Sequence, residues 1–282
     1  MRIAIIGGNS NLGTALKTRL ALSHEVITVG RKNCDVDLDL KDAIDNINLP
    51  ANLDTVIHTA AHFGGKSDND IRDAEYINVI GTLKLCQAAK KANVKHFILV
   101  SSIFSSINPG SQQYNIYTLS KKHAEELAGF YCSQNALPLT IIRPAQLYGN
   151  SEGFRKHQPF FYDLIDKAGR GEDISLYGSH DPKRNYIHID DVTRVIAEVV
   201  EKKIEGIYSC AQLNYVTYKQ IAETAFHLFK KGGSVYFLKD KPNIPDNLVD
   251  ADSSLYEKIG FYPEISLEEG IRRLVIEKQL HQ

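Results

Sequence analysis

The chain has 282 residues, with 33 lysines and arginines against 34 aspartates and glutamates, a net charge of −1. That balance offers no bulk attraction to nucleic acid or to an anionic membrane. Apolar residues make up 43% and charged residues 24%, an ordinary globular composition that can build a sizeable core.

No apolar run reaches the ~18 residues of a membrane span. The opening MRIAIIGG runs straight into glycines and lacks a signal-peptide cleavage pattern. Strand-like apolar runs fall at residues 2–6, 25–29, 54–59, 95–101 and 139–142. Helical periodicity falls between them, at 11–22, 42–47, 70–92 and 113–134. Apolar strands separated by helices predict an α/β fold, a doubly wound parallel (Rossmann) sheet covered on both faces. The second half predicts helices at 154–168, 190–202, 217–230 and 267–280. Short strands are expected there at 174–177, 186–189, 207–210 and 235–238. The expected division is a dinucleotide-binding domain at 1–145 and a smaller α/β substrate-binding lobe at 146–282, with segments returning to the first domain. Cys34, Cys86, Cys132 and Cys210 are far apart, and the ten histidines show no metal spacing. No metal is expected, and the cysteine pattern suits a reduced cytoplasmic setting.

The first strand ends in Ile6-Gly7-Gly8-Asn9-Ser10-Asn11-Leu12-Gly13, followed by a helix. A strand–glycine turn–helix presents backbone N–H groups and a positive helix end to a phosphate. A purely structural turn competes with that reading, but the place at the first strand favours a cofactor. Gly30-Arg31-Lys32 ends the second strand, where an NAD enzyme commonly carries an acidic residue. Two cations suit a 2′-phosphate, so NADP(H) is favoured over NAD(H); a solvated basic turn is the alternative. Asp39 can accept from an adenine amino group, with Leu40 covering the ring, or can cap a helix.

Tyr117 and Lys121 lie four apart in the predicted helix 113–134, on one face. A nearby ammonium is expected to lower the tyrosine pKa and make the phenol useful for proton transfer. Tyr215 and Lys219 repeat the spacing, but lie far from the glycine turn and read as structural. The strand Phe97-Ile98-Leu99-Val100 ends in Ser101-Ser102. Its carboxyl end faces the cofactor crevice of a doubly wound sheet, so Ser102 can bond the oxygen that Tyr117 protonates; a simple cap is the plainer reading.

These stretches resemble the extended short-chain dehydrogenases/reductases, of the NAD-dependent epimerase/dehydratase group that acts on nucleotide sugars. Val56–Ala61, Asn78–Thr82, Arg143–Gly149 and Arg184–Val192 add to the likeness, which spans nearly the whole chain. The resemblance implies Tyr117 as general acid/base, Lys121 on the nicotinamide ribose and Ser102 on the reacting oxygen. It implies cofactor contacts from Gly7, Asn9, Ser10, Asn11, Leu12, Gly13, Arg31, Lys32, Asp39, Leu40, Thr59, Ala60, Ala61, Val100, Tyr117, Lys121 and Pro144. Ser102, Gln146 and Arg184 would bind substrate, Arg184 toward a diphosphate; an ion pair of Arg184 with Asp181 or Asp190 is the alternative. Asn78 would be structural. A homodimer through the helices at 70–92 and 113–134 is expected, with Leu127, Phe130 and Tyr131 serving either that face or the core.

Three departures bear on substrate. Ser10 stands for a glycine, Ile103-Phe104-Ser105-Ser106 replaces the usual V-Y-G, and Lys241 stands where arginine is usual. The expected function is NADPH-dependent reduction of a 4-keto nucleotide sugar. A 4-epimerase with tightly bound NAD, or a reductase of a non-nucleotide carbonyl compound, is the alternative.

Overall fold

The structure is a computed structural model and describes residues 1–43, 47–248 and 252–280. The chain begins with β1 (Arg2–Ile6), α1 (Asn11–Leu20), β2 (Glu25–Gly30), β3 (Val36–Asp37) and β4 (Thr55–His58). Then α2 (Asp68–Ala74), a π-helical turn (Glu75–Ile80) and α3 (Gly81–Lys91) lead to β5 (His96–Val100). A 3-10 turn (Ile103–Ser106), α4 (Ile116–Gln134), β6 (Leu139–Pro144) and β7 (Gln146–Tyr148) follow. Next come α5 (Glu152–His157), α6 (Pro159–Arg170), β8 (Ile174–Tyr177), β9 (Lys183–Arg184) and β10 (Tyr186–His188). The last elements are α7 (Ile189–Lys202), β11 (Gly206–Cys210), β12 (Val216–Thr217), α8 (Tyr218–Phe229), β13 (Val235–Leu238), α9 (Ser254–Ile259) and α10 (Leu267–Leu280).

Two units divide these elements. The first comprises Met1–Pro144, Thr193–Cys210 and Asp252–Phe261. Its sheet has the order β11-β6-β5-β4-β1-β2-β3, every pairing parallel. Strand order reverses between β1 and β4, the switch point where open α/β sheets bind ligands at their carboxyl ends. Alternate residues Ala4, Ile6, Val56, Phe97, Leu99 and Ile141 share a buried cluster with Leu85, Cys86, Ala89, Ala128 and Cys132 of α3 and α4. Ile3, Ile5, Ile57, Ile98 and Ile142 between them are equally buried. Burial of both faces is why these strands read as continuous apolar runs.

The second unit comprises the described residues of 145–192, 211–248 and 262–280. It has three two-stranded pairs: β7 with β10 and β8 with β13, both parallel, and β9 with β12, antiparallel. Tyr148 is fully buried, its ring 5.1 Å from Phe161, which in turn lies 4.6 Å from Tyr186. A Cβ on Gly270 would collide with the Tyr148 hydroxyl, so α10 packs there only through glycine.

Several elements differ from the sequence expectation. The single helix expected at 70–92 is α2, a π-turn and α3. A π-turn inserts one residue into an otherwise continuous helix, and residue types alone do not mark the insertion. The helix expected at 154–168 is broken at Gln158, because Pro159 cannot donate an N–H to the preceding turn. The helix expected at 42–47 falls on residues 44–46, outside the described residues. Of the residues expected at a dimer face or the core, Phe130 is exposed, whereas Tyr131 packs against the central cluster and Leu127 is half-buried.

The helix α4 starts at Ile116, later than the expected 113, because Asn115 caps it. The Asn115 carboxamide oxygen accepts the N–H groups of Tyr117 at 2.9 Å and Thr118 at 3.2 Å. Substituting Asn115→Ala is expected to cost about 1 kcal/mol of stability, read as a lower urea midpoint with an unchanged slope.

Candidate active site

A cavity of about 190 Å³ lies at the carboxyl end of β1. Gly7, Asn9 and Ser10 line it from the first turn, and Gly30 and Arg31 from the end of β2. Leu38, Asp39 and Leu40 line it after β3, and Ala60, Ala61 and His62 after β4. Gly7 has φ +84°, and a Cβ there would lie 2.7 Å from the Ala60 nitrogen. A Cβ on Gly13 would collide with the Gly7 carbonyl oxygen. These glycines are demanded by the protein's own packing; the argument for a ligand comes from the cavity itself. It offers a guanidinium, one carboxylate among its described lining, an aliphatic wall and a helix start. That set fits a dinucleotide: Arg31 for phosphate, Asp39 and Leu40 for a base.

Ser10 shows what a side chain does at the second glycine position. Its Oγ accepts the Gly13 N–H at 3.0 Å, capping α1, and lies 3.2 Å from Thr59 Oγ1. Thr59 in turn donates to the Ile6 carbonyl at 2.9 Å. Among the predicted residues, Asn11, Leu12, Gly13, Lys32 and Thr59 are outside the described lining. The Lys32 carbonyl accepts Asn9 Nδ2 at 3.1 Å. Val100 and Pro144, which end β5 and β6, are also outside the described lining.

The helix α4 and the end of β5 bring Ser102, Tyr117 and Lys121 together. Ser102 is buried, and its Oγ accepts the Phe104 N–H at 3.2 Å, so it caps the 3-10 turn. The same hydroxyl bonds the Tyr117 phenol. Capping and contact with the phenol are thus both true of Ser102. Lys121 is buried and donates to the Val100 carbonyl at 2.9 Å.

The expected effect on Tyr117 is corrected here. Burial pushes its pKa up to about 12, and the Ser102 hydrogen bond opposes this only in part. The Lys121 ammonium does not reverse it, since that group is itself desolvated and drawn to a carbonyl. Burial pushes Lys121 down to about 8, against the field of the Glu125 carboxylate. The second tyrosine–lysine pair makes no such site. Tyr215 precedes α8, whereas Lys219 sits inside it and pairs with Glu223 at 3.6 Å.

Sequence reasoning missed three neighbours. Phe63 stacks on Tyr117, with ring centres 5.2 Å apart and planes 16° off parallel. Glu125, one turn beyond Lys121, is buried and accepts Arg143 Nε at 3.1 Å and Ser105 Oγ at 2.6 Å. The i, i+4 spacing from Lys121 was the available signal for it. His58 lies near Lys121; burial first, and that ammonium second, push it down to about 3, so it stays neutral. Thr82 donates to the Asn78 carbonyl at 2.6 Å, so it accepts from His58 Nε2 at 3.0 Å. Asn78 is structural in its contacts, bonding Ser120 Oγ at 2.9 Å and both backbone groups of His62.

In the second unit, Gln146 donates to Gln158 at 2.9 Å and accepts from Asn247 at 3.3 Å. Arg184 is buried. Its Nε donates to the Tyr218 hydroxyl at 2.7 Å, and one terminal nitrogen donates to the Lys183 and Pro245 carbonyls at 2.8 Å each. Among the described residues Arg184 forms no ion pair with Asp181 or Asp190: Asp190 pairs with Arg273, and Asp181 accepts the Lys219 N–H. Among the described residues no trio of His, Cys, Asp or Glu is placed to hold a metal, and no helix is long and apolar enough to cross a membrane.

Comparison with known proteins agrees with this geometry. The profile of the NAD dependent epimerase/dehydratase family matches residues 3–211. The putative UDP-glucose 4-epimerase of Methanocaldococcus jannaschii is 24% identical, over 97% of each chain. The GDP-L-fucose synthase of Escherichia coli is 23% identical, over 96% of this chain and 94% of its own. Among solved structures, RMD from Pseudomonas aeruginosa complexed with NADPH has a TM-score of 0.80 at 17% identity, covering 100% of this chain and 99% of that one. UDP-N-acetylglucosamine 4-epimerase from Bacillus cereus has a TM-score of 0.78 at 19% identity, covering 99% and 96%. At such identities the likeness establishes the fold.

Because a Cβ at Gly13 meets a carbonyl oxygen rather than a flexible side chain, Gly13→Ala must shift the turn. It is expected to cost about 2 kcal/mol, read by thermal melting, and to weaken dinucleotide binding in a fluorescence titration.

Proposed function

The chain belongs to the NAD dependent epimerase/dehydratase family, enzymes of the extended short-chain dehydrogenase/reductase type, and from that premise we propose that it is an NADPH-dependent reductase of a 4-keto nucleotide sugar. The observation that carries this reading is Arg31, whose guanidinium lines the cavity at the end of β2, where a 2′-phosphate would meet it. A phenol pushed up to about 12 by burial holds its proton at neutral pH. Reduction of a carbonyl needs a proton delivered to the oxygen, which is what a protonated phenol can do.

A nicotinamide dinucleotide held at the cavity would supply the hydride. Tyr117 gives its proton to the reacting oxygen while Ser102 holds that oxygen. The phenolate left behind lies on the same helix face as the Lys121 ammonium, which favours the charged form. Arg31, beside the cavity at the end of β2, suits a 2′-phosphate, and Asp39 and Leu40 suit the adenine. Arg184 is the residue we assign to a substrate diphosphate. It is a buried cation whose hydrogen bonds, among the described residues, go to neutral oxygens, so an anion would complete it. Gln146 is assigned to the same substrate.

Three measurements test the reading. Tyr117→Phe is expected to lower turnover by about 10²–10⁴-fold while dinucleotide binding persists; unchanged turnover removes Tyr117 from the mechanism. Arg31→Ala is expected to weaken NADPH at least about tenfold and NADH little; equal losses sink the NADPH assignment. A panel of 4-keto nucleotide sugars with NADPH, products read by NMR, should show net cofactor consumption. Purified protein that carries bound NAD and interconverts epimers with no net NADPH use would identify an epimerase instead.

A further inference from the structure

After β3 the chain runs as a short strap, residues 38–42, of which Leu38, Asp39 and Leu40 line the cavity at the carboxyl end of β1. β3 is a two-residue strand at the edge of the sheet, so ladder bonding gives this strap little support. The support comes from α3. Lys84 is a buried residue of that helix. Its ammonium donates to the Leu40 carbonyl at 3.2 Å, the Asp42 carbonyl at 2.5 Å and the Tyr76 hydroxyl at 3.2 Å. Those bonds use all three N–H donors of an ammonium. The charge also lies 4.5 Å from the centre of the Tyr76 ring. One turn earlier on the same face of α3, Gly81 lets the Leu40 side chain close in, since a Cβ there would stand 3.1 Å from Leu40 Cβ.

We propose that Lys84 is a positioning residue for the dinucleotide: it clamps residues 38–42 so that Asp39 and Leu40 stand ready for the adenine end of the cofactor, while its own donors stay on the protein. The inference rests on the dinucleotide reading above, in which those two residues meet the base. A buried ammonium is costly unless its donors find acceptors. Two of the acceptors here are backbone carbonyls on either side of Lys41. Burying the charge and fixing the strap are therefore one event. A methionine in place of Lys84 would fill similar space but leave both carbonyls free to turn. Ordering the strap before binding removes an entropy cost that the cofactor would otherwise bear. The clamp acts at the adenine half. Tyr117 and Lys121 take their places from α4, and Ser102 from the end of β5, so the reacting end is held separately.

The test compares wild type with K84M by calorimetric titration of two fragments that carry the adenine end alone, 2′,5′-ADP and ADP-ribose. Whichever of them the wild type binds is expected to bind K84M about tenfold more weakly. KM for the dinucleotide should rise by more than kcat falls. Amide hydrogen exchange should quicken at residues 38–42 and stay as in wild type along α4. A folded K84M that binds the fragments as wild type does, or whose kcat falls as far as its KM rises, overturns the clamp. Should K84M not fold, Y76F removes one partner of the ammonium from a half-exposed side chain. It is expected to weaken fragment binding about threefold, and unchanged binding in it overturns the clamp equally. Wild-type protein that binds neither fragment overturns the dinucleotide reading and this proposal with it.

Discussion

Lys121 reaches from the middle of α4 to the carbonyl of Val100, the last residue of β5, at 2.9 Å. Both groups are buried, so the bond is made where no water competes for it. It ties the helix that carries Tyr117 to the strand that leads into Ser102. One turn further along the same face, Glu125 repeats the device, joining α4 to Arg143 on β6 and to Ser105 in the 3-10 turn. Between and beyond these polar anchors, α4 packs on the core through the small buried residues Ala124, Ala128 and Cys132. Small apolar residues allow close approach but fix neither rotation nor register. The polar bonds fix both, and the meeting of the Tyr117 and Ser102 hydroxyls follows from them.

The same burial sets the chemistry. Removing water disfavours whichever form of a group is charged, so it raises a phenol and lowers an ammonium. Tyr117 moves up to about 12 and Lys121 down to about 8. The two shifts converge on a site that holds its tyrosine neutral and its lysine close to titration. A neutral phenol of this kind can give its proton to an oxygen. His58, pushed down to about 3, adds no charge of its own behind Lys121.

The π-turn at Glu75–Ile80 belongs to the same economy of positions. It carries Asn78, whose carboxamide is shared among Ser120 on α4 and both backbone groups of His62. One side chain thereby fixes the helix that bears Tyr117 and the loop that bears Phe63. The buried carboxamide finds several partners, which is what makes a polar group in a core specifying rather than destabilising. The glycines of the neighbouring loop matter for a related reason: Gly64 lets the loop lie against Ile116, where any Cβ would hold it away.

By itself the sequence determined the alternation of strands and helices in the first half and the doubly wound sheet it implies. It also determined the strand–glycine turn–helix at Ile6–Gly13 and the shared face of Tyr117 and Lys121. These are readable because they depend on periodicity and on residues with unique backbone freedom, both local properties. Tertiary structure alone decided the π-turn inside an apparently continuous helix and the direction of the Tyr117 shift. Only there does Ser10 become a helix cap bonded toward Thr59, and only there do Phe63 and Glu125 join the site. Each of these depends on what packs against a residue from elsewhere in the chain. Spacing says that an ammonium lies four residues from a phenol; it does not say how much water is left between them. Desolvation is a property of the folded neighbourhood, and in this protein it outweighs the nearby charge.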